Sequence, residues 1–144
     1  MNDDTLPPTL SPARQIVVAW VLPHAGAGVA VAGRFDEYAK ACFPLDTEAT
    51  QQYEAPRRST CALFAQTALR EAGVKHPLLD VPFAKRVGMS MADLQTIAHQ
   101  AGAWCTFGGG QGTPMPGDIA IINDDPIGKV DRAHALVVTE YVPQ

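Results

Sequence analysis

What this chain lacks narrows its chemistry before any motif is considered. It has only three cysteines, Cys42, Cys61 and Cys105, in 144 residues. An odd, widely spaced set neither builds a disulfide scaffold nor forms a CxxC metal pair. Positive charge is also scarce: 11 Lys+Arg against 15 Asp+Glu leave a net charge of −4, which argues against nucleic-acid binding, where a basic face is usual. No apolar run approaches the ~18 residues needed to cross a bilayer, so membrane insertion is not expected. The N-terminus, Met1 to Pro8, lacks the basic region and apolar core of a secretory signal, so the chain reads as cytoplasmic when synthesised. Action outside the cell would need delivery or export by a non-Sec route.

What is present is enough for a folded domain. Apolar residues make up 47% of the chain and charged ones 18%, a balance that supports a buried core. Residues 1–10 read as a flexible, Pro-rich start, and 11–144 as a single domain. Ser11-Pro12 forms a helix-start signal, and Pro23 ends the apolar stretch that follows. Phe35 to Phe43 places Phe35, Tyr38, Ala39 and Cys42 on one helical face. Asp46 to Arg58 is polar and reads as a connector. Ser59 to Gly73 is the clearest helix, with a capping residue at its start, a glycine stop, and a stripe of mostly small residues at 61, 64, 65, 68, 69 and 72. Ser90-Met91-Ala92-Asp93 resembles a capping box opening a helix that Gly102 stops. Trp104 to Phe107 reads as a short strand. Ile119 to Ile122 and Ala133 to Val142 read as two antiparallel strands. The expected class is therefore α+β, with N-terminal helices packed on a small antiparallel sheet.

Chemistry centres on Cys61. A thiol in the first turn of a helix meets unpaired backbone amides and the positive end of the macrodipole, a placement that favours the thiolate. Arg57 and Arg58 lie just upstream. His134 opens an otherwise apolar strand, and a Cys/His pair becomes a nucleophile and base when folding brings the two together. Cys42 falls on an apolar stripe and reads as core. Cys105 reads as strand core, a disulfide partner after export, or a rival nucleophile. His24, His76 and His99 sit in no comparable context.

Three segments carry a resemblance. Ser59-Thr60-Cys61-Ala62-Leu63-Phe64-Ala65 resembles the nucleophile helix of the NlpC/P60 and CHAP cysteine amidases. Pro116-Gly117-Asp118-Ile119-Ala120-Ile121-Ile122 resembles their PGD strand, and Ala133-His134-Ala135-Leu136-Val137-Val138 their histidine strand. The order of the three matches as well, over about residues 57 to 140. The resemblance implies a papain-like fold of the NlpC/P60 type and hydrolysis of amide bonds in bacterial cell-wall peptidoglycan peptides, in a bacterial or phage setting. Cys61 would be the nucleophile and His134 the base, with no cofactor and no metal. The Cys61 amide would hold the oxyanion, and a tyrosine upstream, Tyr53 by position, would face the substrate. The third residue orienting the imidazole has no obvious strand to occupy. Glu140 shares the strand face of His134, but six extended residues span about 20 Å. Asp124 is the candidate adopted, with Asn123, Asp125, Asp131 and a backbone carbonyl as alternatives. A papain-like domain that binds or regulates without catalysis is the competing expectation, alongside a cysteine peptidase or deamidase acting on proteins.

Overall fold

The computed structural model describes residues 10–25, 33–88, 90–105, 113–123 and 133–140. Residues 1–9, read as a flexible start, lie outside them. The described chain is α+β: five α-helices, α1 (Pro12–Val21), α2 (Phe35–Cys42), α3 (Glu48–Glu54), α4 (Cys61–Glu71) and α5 (Ser90–Gln100), precede two strands, β1 (Ile119–Asn123) and β2 (Ala133–Val137). Short 3-10 turns at Leu22–His24, Pro77–Asp80 and Phe83–Lys85 link the helices. No described helix is long and apolar enough to cross a membrane.

The helix signals act as their chemistry requires. Ser11 caps α1 by accepting the Arg14 amide, with Pro12 at the first helical position. Gly73 and Gly102 end α4 and α5 in the left-handed region, at φ 86° and 66°. There the amides of Val74 and Ala103 reach back to the carbonyls of Leu69 and Ala98. The Asp93 carboxylate in the first turn of α5 accepts the Arg86 guanidinium at 3.1 Å.

Three expectations are corrected. The segment 46–58 is not only a connector, because it contains α3. Thr47 caps that helix through the Thr50 amide, and Gln51 anchors it by donating to the carbonyls of Phe43 and Asp46. A helix held by a buried amide shows no apolar stripe. Residues 104 and 105 form no strand; Trp104 stacks on His99 with ring centroids 4.8 Å apart, and Cys105 is exposed rather than core. The strand expected over 133–142 ends at Val137.

α4 is the central element because it feeds two cores. Leu63 packs with Ala39, Cys42, Phe43 and Ala55, whereas Ala62 and Ala65 pack with Met91, Leu94 and Ala135. Burial therefore extends beyond the stripe read from the sequence and includes Gln66 and Thr67. Thr67 satisfies its hydroxyl on the Leu63 carbonyl, and Gln66 donates to Ser90. Small side chains at 62 and 65 let β2 come close.

The two strands pair antiparallel with Ile121 opposite Ala135 and Ile122 opposite His134. β1 is clamped to α1 at its entry. Arg14 donates to Asp118 Oδ1 at 2.5 Å and to the Pro116 carbonyl at 3.2 Å, while Asp118 Oδ2 accepts the Met115 amide. Gly117 is required here for two reasons. Its φ is +90°, and a Cβ would come within 2.8 Å of Arg14 Cβ. The Pro-Gly-Asp segment is therefore a docking turn for the first helix.

Candidate active site

Cys61 is the first residue of α4, and β2 passes directly in front of it. Val138 donates to the Asp118 carbonyl, and bonding alternates along an antiparallel pair. Leu136 and His134 thus face β1 through their backbones, and the Ala135 amide points off the strand edge. That amide donates to Cys61 Sγ at 3.5 Å. Ser59 Oγ lies 3.8 Å from the same sulfur. The start of α4 and the residue following His134 are therefore in direct contact, which the sequence left as an expectation about folding.

Both expected residues border one cleft of about 470 Å³, together with His24, Tyr38, Arg58 and Phe64. Their side chains leave the backbone in different directions. Ala135 is buried against Ala62 and Ala65, and side chains alternate along a strand, so exposed His134 projects from the other face. Among the described residues, Cys61 and His134 share no hydrogen bond. Asp124, and with it Asp125 and Asp131, lies outside the described residues. Glu140 is exposed beyond the end of β2.

Below Cys61 lies a polar cluster that the sequence did not announce. Tyr38 on α2 hydrogen-bonds Thr60, the residue immediately before Cys61. Burial pushes the Tyr38 phenol above its ordinary range, aided by the neighbouring Cys42 and by Cys61. Cys42 is 2% exposed. Burial raises its thiol to about 11 against the pull of hydrogen bonds from Thr60 and Tyr38, and negative charge at Cys61 would raise it further. This thiol is a core group and a poor nucleophile, as its apolar stripe implied. The tyrosine at the cleft is Tyr38, not Tyr53, which is 58% exposed and sits under the Arg57 guanidinium.

His24 also belongs to the cleft, although it has no sequence context beyond the proline before it. Its Nδ1 is 2.7 Å from the Trp20 carbonyl and therefore carries the proton. The ring packs on Trp20 and edge-on to Phe64, at centroid distances of 4.5 and 5.7 Å. Glu37 Oε1 stands 3.9 Å from Nε2. Arg34 holds this corner by donating to the carbonyls of Pro23 and Ala25 and pairing with Glu37. Its side chain reaches across residues far apart in sequence, and no local pattern reveals that.

Among the described residues no group of three His, Cys, Asp or Glu side chains is placed to hold a metal ion. No family model, no curated protein and no solved structure matches this chain.

Proposed function

We propose that this chain is a papain-like cysteine amidase or endopeptidase that cuts amide bonds, with peptides of bacterial peptidoglycan as its substrate class. The contact between Cys61 Sγ and the Ala135 amide, at 3.5 Å, carries the reading. It sets the one cysteine at a helix start beside the strand that bears His134, on the wall of a cleft large enough for a peptide. The substrate class rests on the resemblance of the three sequence segments to NlpC/P60 and CHAP enzymes.

In this reading His134 removes the thiol proton, and Cys61 Sγ attacks the amide carbonyl carbon. The oxyanion of the tetrahedral intermediate meets the Cys61 amide at the open end of α4. The C–N bond breaks as His134 returns the proton to the departing amine. Water then cleaves the thioester, releasing a carboxylate and the free thiol. His134 borders the same cleft as Cys61, and catalytic hydrogen bonds commonly tighten only with substrate bound.

A second reading, a papain-like domain that binds such peptides without cutting them, draws on the missing hydrogen bond between Cys61 and His134. Incubation with purified muropeptides and mass analysis of the products separates the two. The expected result is a new amine and a new carboxylate from wild type, lost in Cys61→Ser and His134→Ala while both variants keep their far-UV dichroism. Hydrolysis that survives Cys61→Ser would overturn the catalytic reading.

A further inference from the structure

Thr60 is the N-cap residue of α4, yet no side chain caps that helix. The chain's other hydroxyl caps behave differently. Ser11 accepts the Arg14 amide and Thr47 the Thr50 amide, the usual bond from an N-cap to the third helical residue. The Thr60 hydroxyl is instead held by Tyr38, 22 residues away on α2. Thr60 also lies at φ −106°, ψ 4°, outside the extended region occupied by Ser11 and Thr47. Both observations withhold the natural cap from the one helix that begins with the cleft cysteine.

We propose that Tyr38 is a positioning residue for Cys61: by holding the Thr60 hydroxyl it keeps the first-turn amides of α4 open to stabilise negative charge at Sγ. This rests on the reading of Cys61 as nucleophile. Orphan amides at a helix start attract the nearest acceptor. A threonine oxygen bonded to the Ala62 or Leu63 amide would take a share of that attraction from the sulfur. Tyr38 removes the competitor, and it does so without touching the substrate or the reacting atoms.

The test reads the thiol directly. Trypsin releases Cys61 in the segment 59–70, apart from Cys42 and Cys105, so iodoacetamide labelling can be followed residue by residue from pH 5 to 9. The groups around Cys61 and its cleft are Arg58 and Ser59 before the helix, Tyr38 and Cys42 on α2, His24, and His134 on β2. All are unchanged except where substituted. In Tyr38→Phe the Thr60 oxygen loses the Tyr38 hydrogen bond, and Thr60 relaxes to the extended conformation of Ser11 and Thr47, from which it accepts a first-turn amide. Labelling of Cys61 at pH 7 then slows about fivefold, the rate equivalent of one cap hydrogen bond, and the profile moves to higher pH. The Ala62 and Leu63 amides gain protection from hydrogen exchange. In Tyr38→Phe/Thr60→Val no hydroxyl is available, and labelling returns to within about twofold of wild type. Thr60→Val alone labels like wild type.

A Tyr38→Phe rate within twofold of wild type overturns the proposal. So does a double variant as slow as Tyr38→Phe, because the loss would then not pass through Thr60. Labelling that follows the expected pattern in a protein that cleaves no peptide upholds the positioning role of Tyr38 and removes only the enzymatic reading.

Discussion

Two helices of this chain, α3 and α4, are each preceded by a threonine, and the two threonines have different partners. Thr47 bends back to the Thr50 amide and closes the start of α3. Thr60 turns away to Tyr38 and leaves the start of α4 uncapped. α3 is short and peripheral, is held by a buried glutamine, and exposes Ala49 and Glu48 to solvent. α4 runs through both cores and begins at the cleft. A peripheral helix with little packing depends on its cap, whereas a helix fixed by tertiary contacts on both sides can leave its first turn open. The difference lies in where stability comes from, and that decides where reactivity can be kept.

The comparison can be broken most strongly at the inward face of α4. Ala65 is fully buried against the cluster containing Ala135. Ala65→Leu is expected to cost about 1–3 kcal/mol by overpacking and to lift β2 from the helix. Ala49→Leu on exposed α3 should stay within about 0.5 kcal/mol of wild type. Chemical denaturation of the two variants checks this.

A pH series sharpens the contrast next. The Cys42 thiol beneath α4 is raised from 9.0 to about 11 in the fold. The unfolded chain therefore loses this proton first, and the folded state binds more protons between those values. Its contribution is fully present below pH 9 and falls as pH rises through 11, by at most ~1.4 kcal/mol per unit. Cys42→Ala should flatten that slope in urea titrations between pH 8.5 and 11, and a slope of unchanged steepness would show that Cys42 is not its source.

The smallest effect lies in the caps themselves. Thr47→Ala is expected to cost about 1 kcal/mol, with the same loss in a Tyr38→Phe background. The cost of Thr60→Val should instead depend on Tyr38, with a coupling of at least ~0.5 kcal/mol in the double-mutant cycle. Equal coupling for both threonines would erase the distinction.

The sequence carried the parts of this fold that depend on local pattern. The apolar run at 119–122 and the β-branched-rich stretch read over 133–142 marked the hairpin, and Ser11-Pro12, Gly73 and Gly102 marked helix ends. Cys61 at a helix start was legible for the same reason. α3 was not, because its anchor is the buried amide of Gln51 rather than an apolar stripe. Cys105 looked like strand core because Trp104 precedes it, but that indole stacks on His99 and leaves the thiol exposed. His24, Tyr38 and Thr60 meet the cleft through contacts between elements, and such contacts leave no periodic trace. Tyr53 illustrates the limit: its sequence position before Cys61 suggested a place at the cleft that Tyr38, further upstream, occupies.

The clamp between Arg14 and Asp118 spans 104 positions of sequence and so joins a residue made early to one made late. A chain leaving the ribosome carries the residues of α1 to α5 before those of either strand. Cys61 is therefore in place while His134 has still to be made. Asp118 and Ala135, which meet Arg14 and the Cys61 sulfur in the fold, are both made after them. The Cys61 sulfur and the strand that meets it are separated in time of synthesis as well as in sequence, and the first helix holds the entry to that hairpin through Asp118.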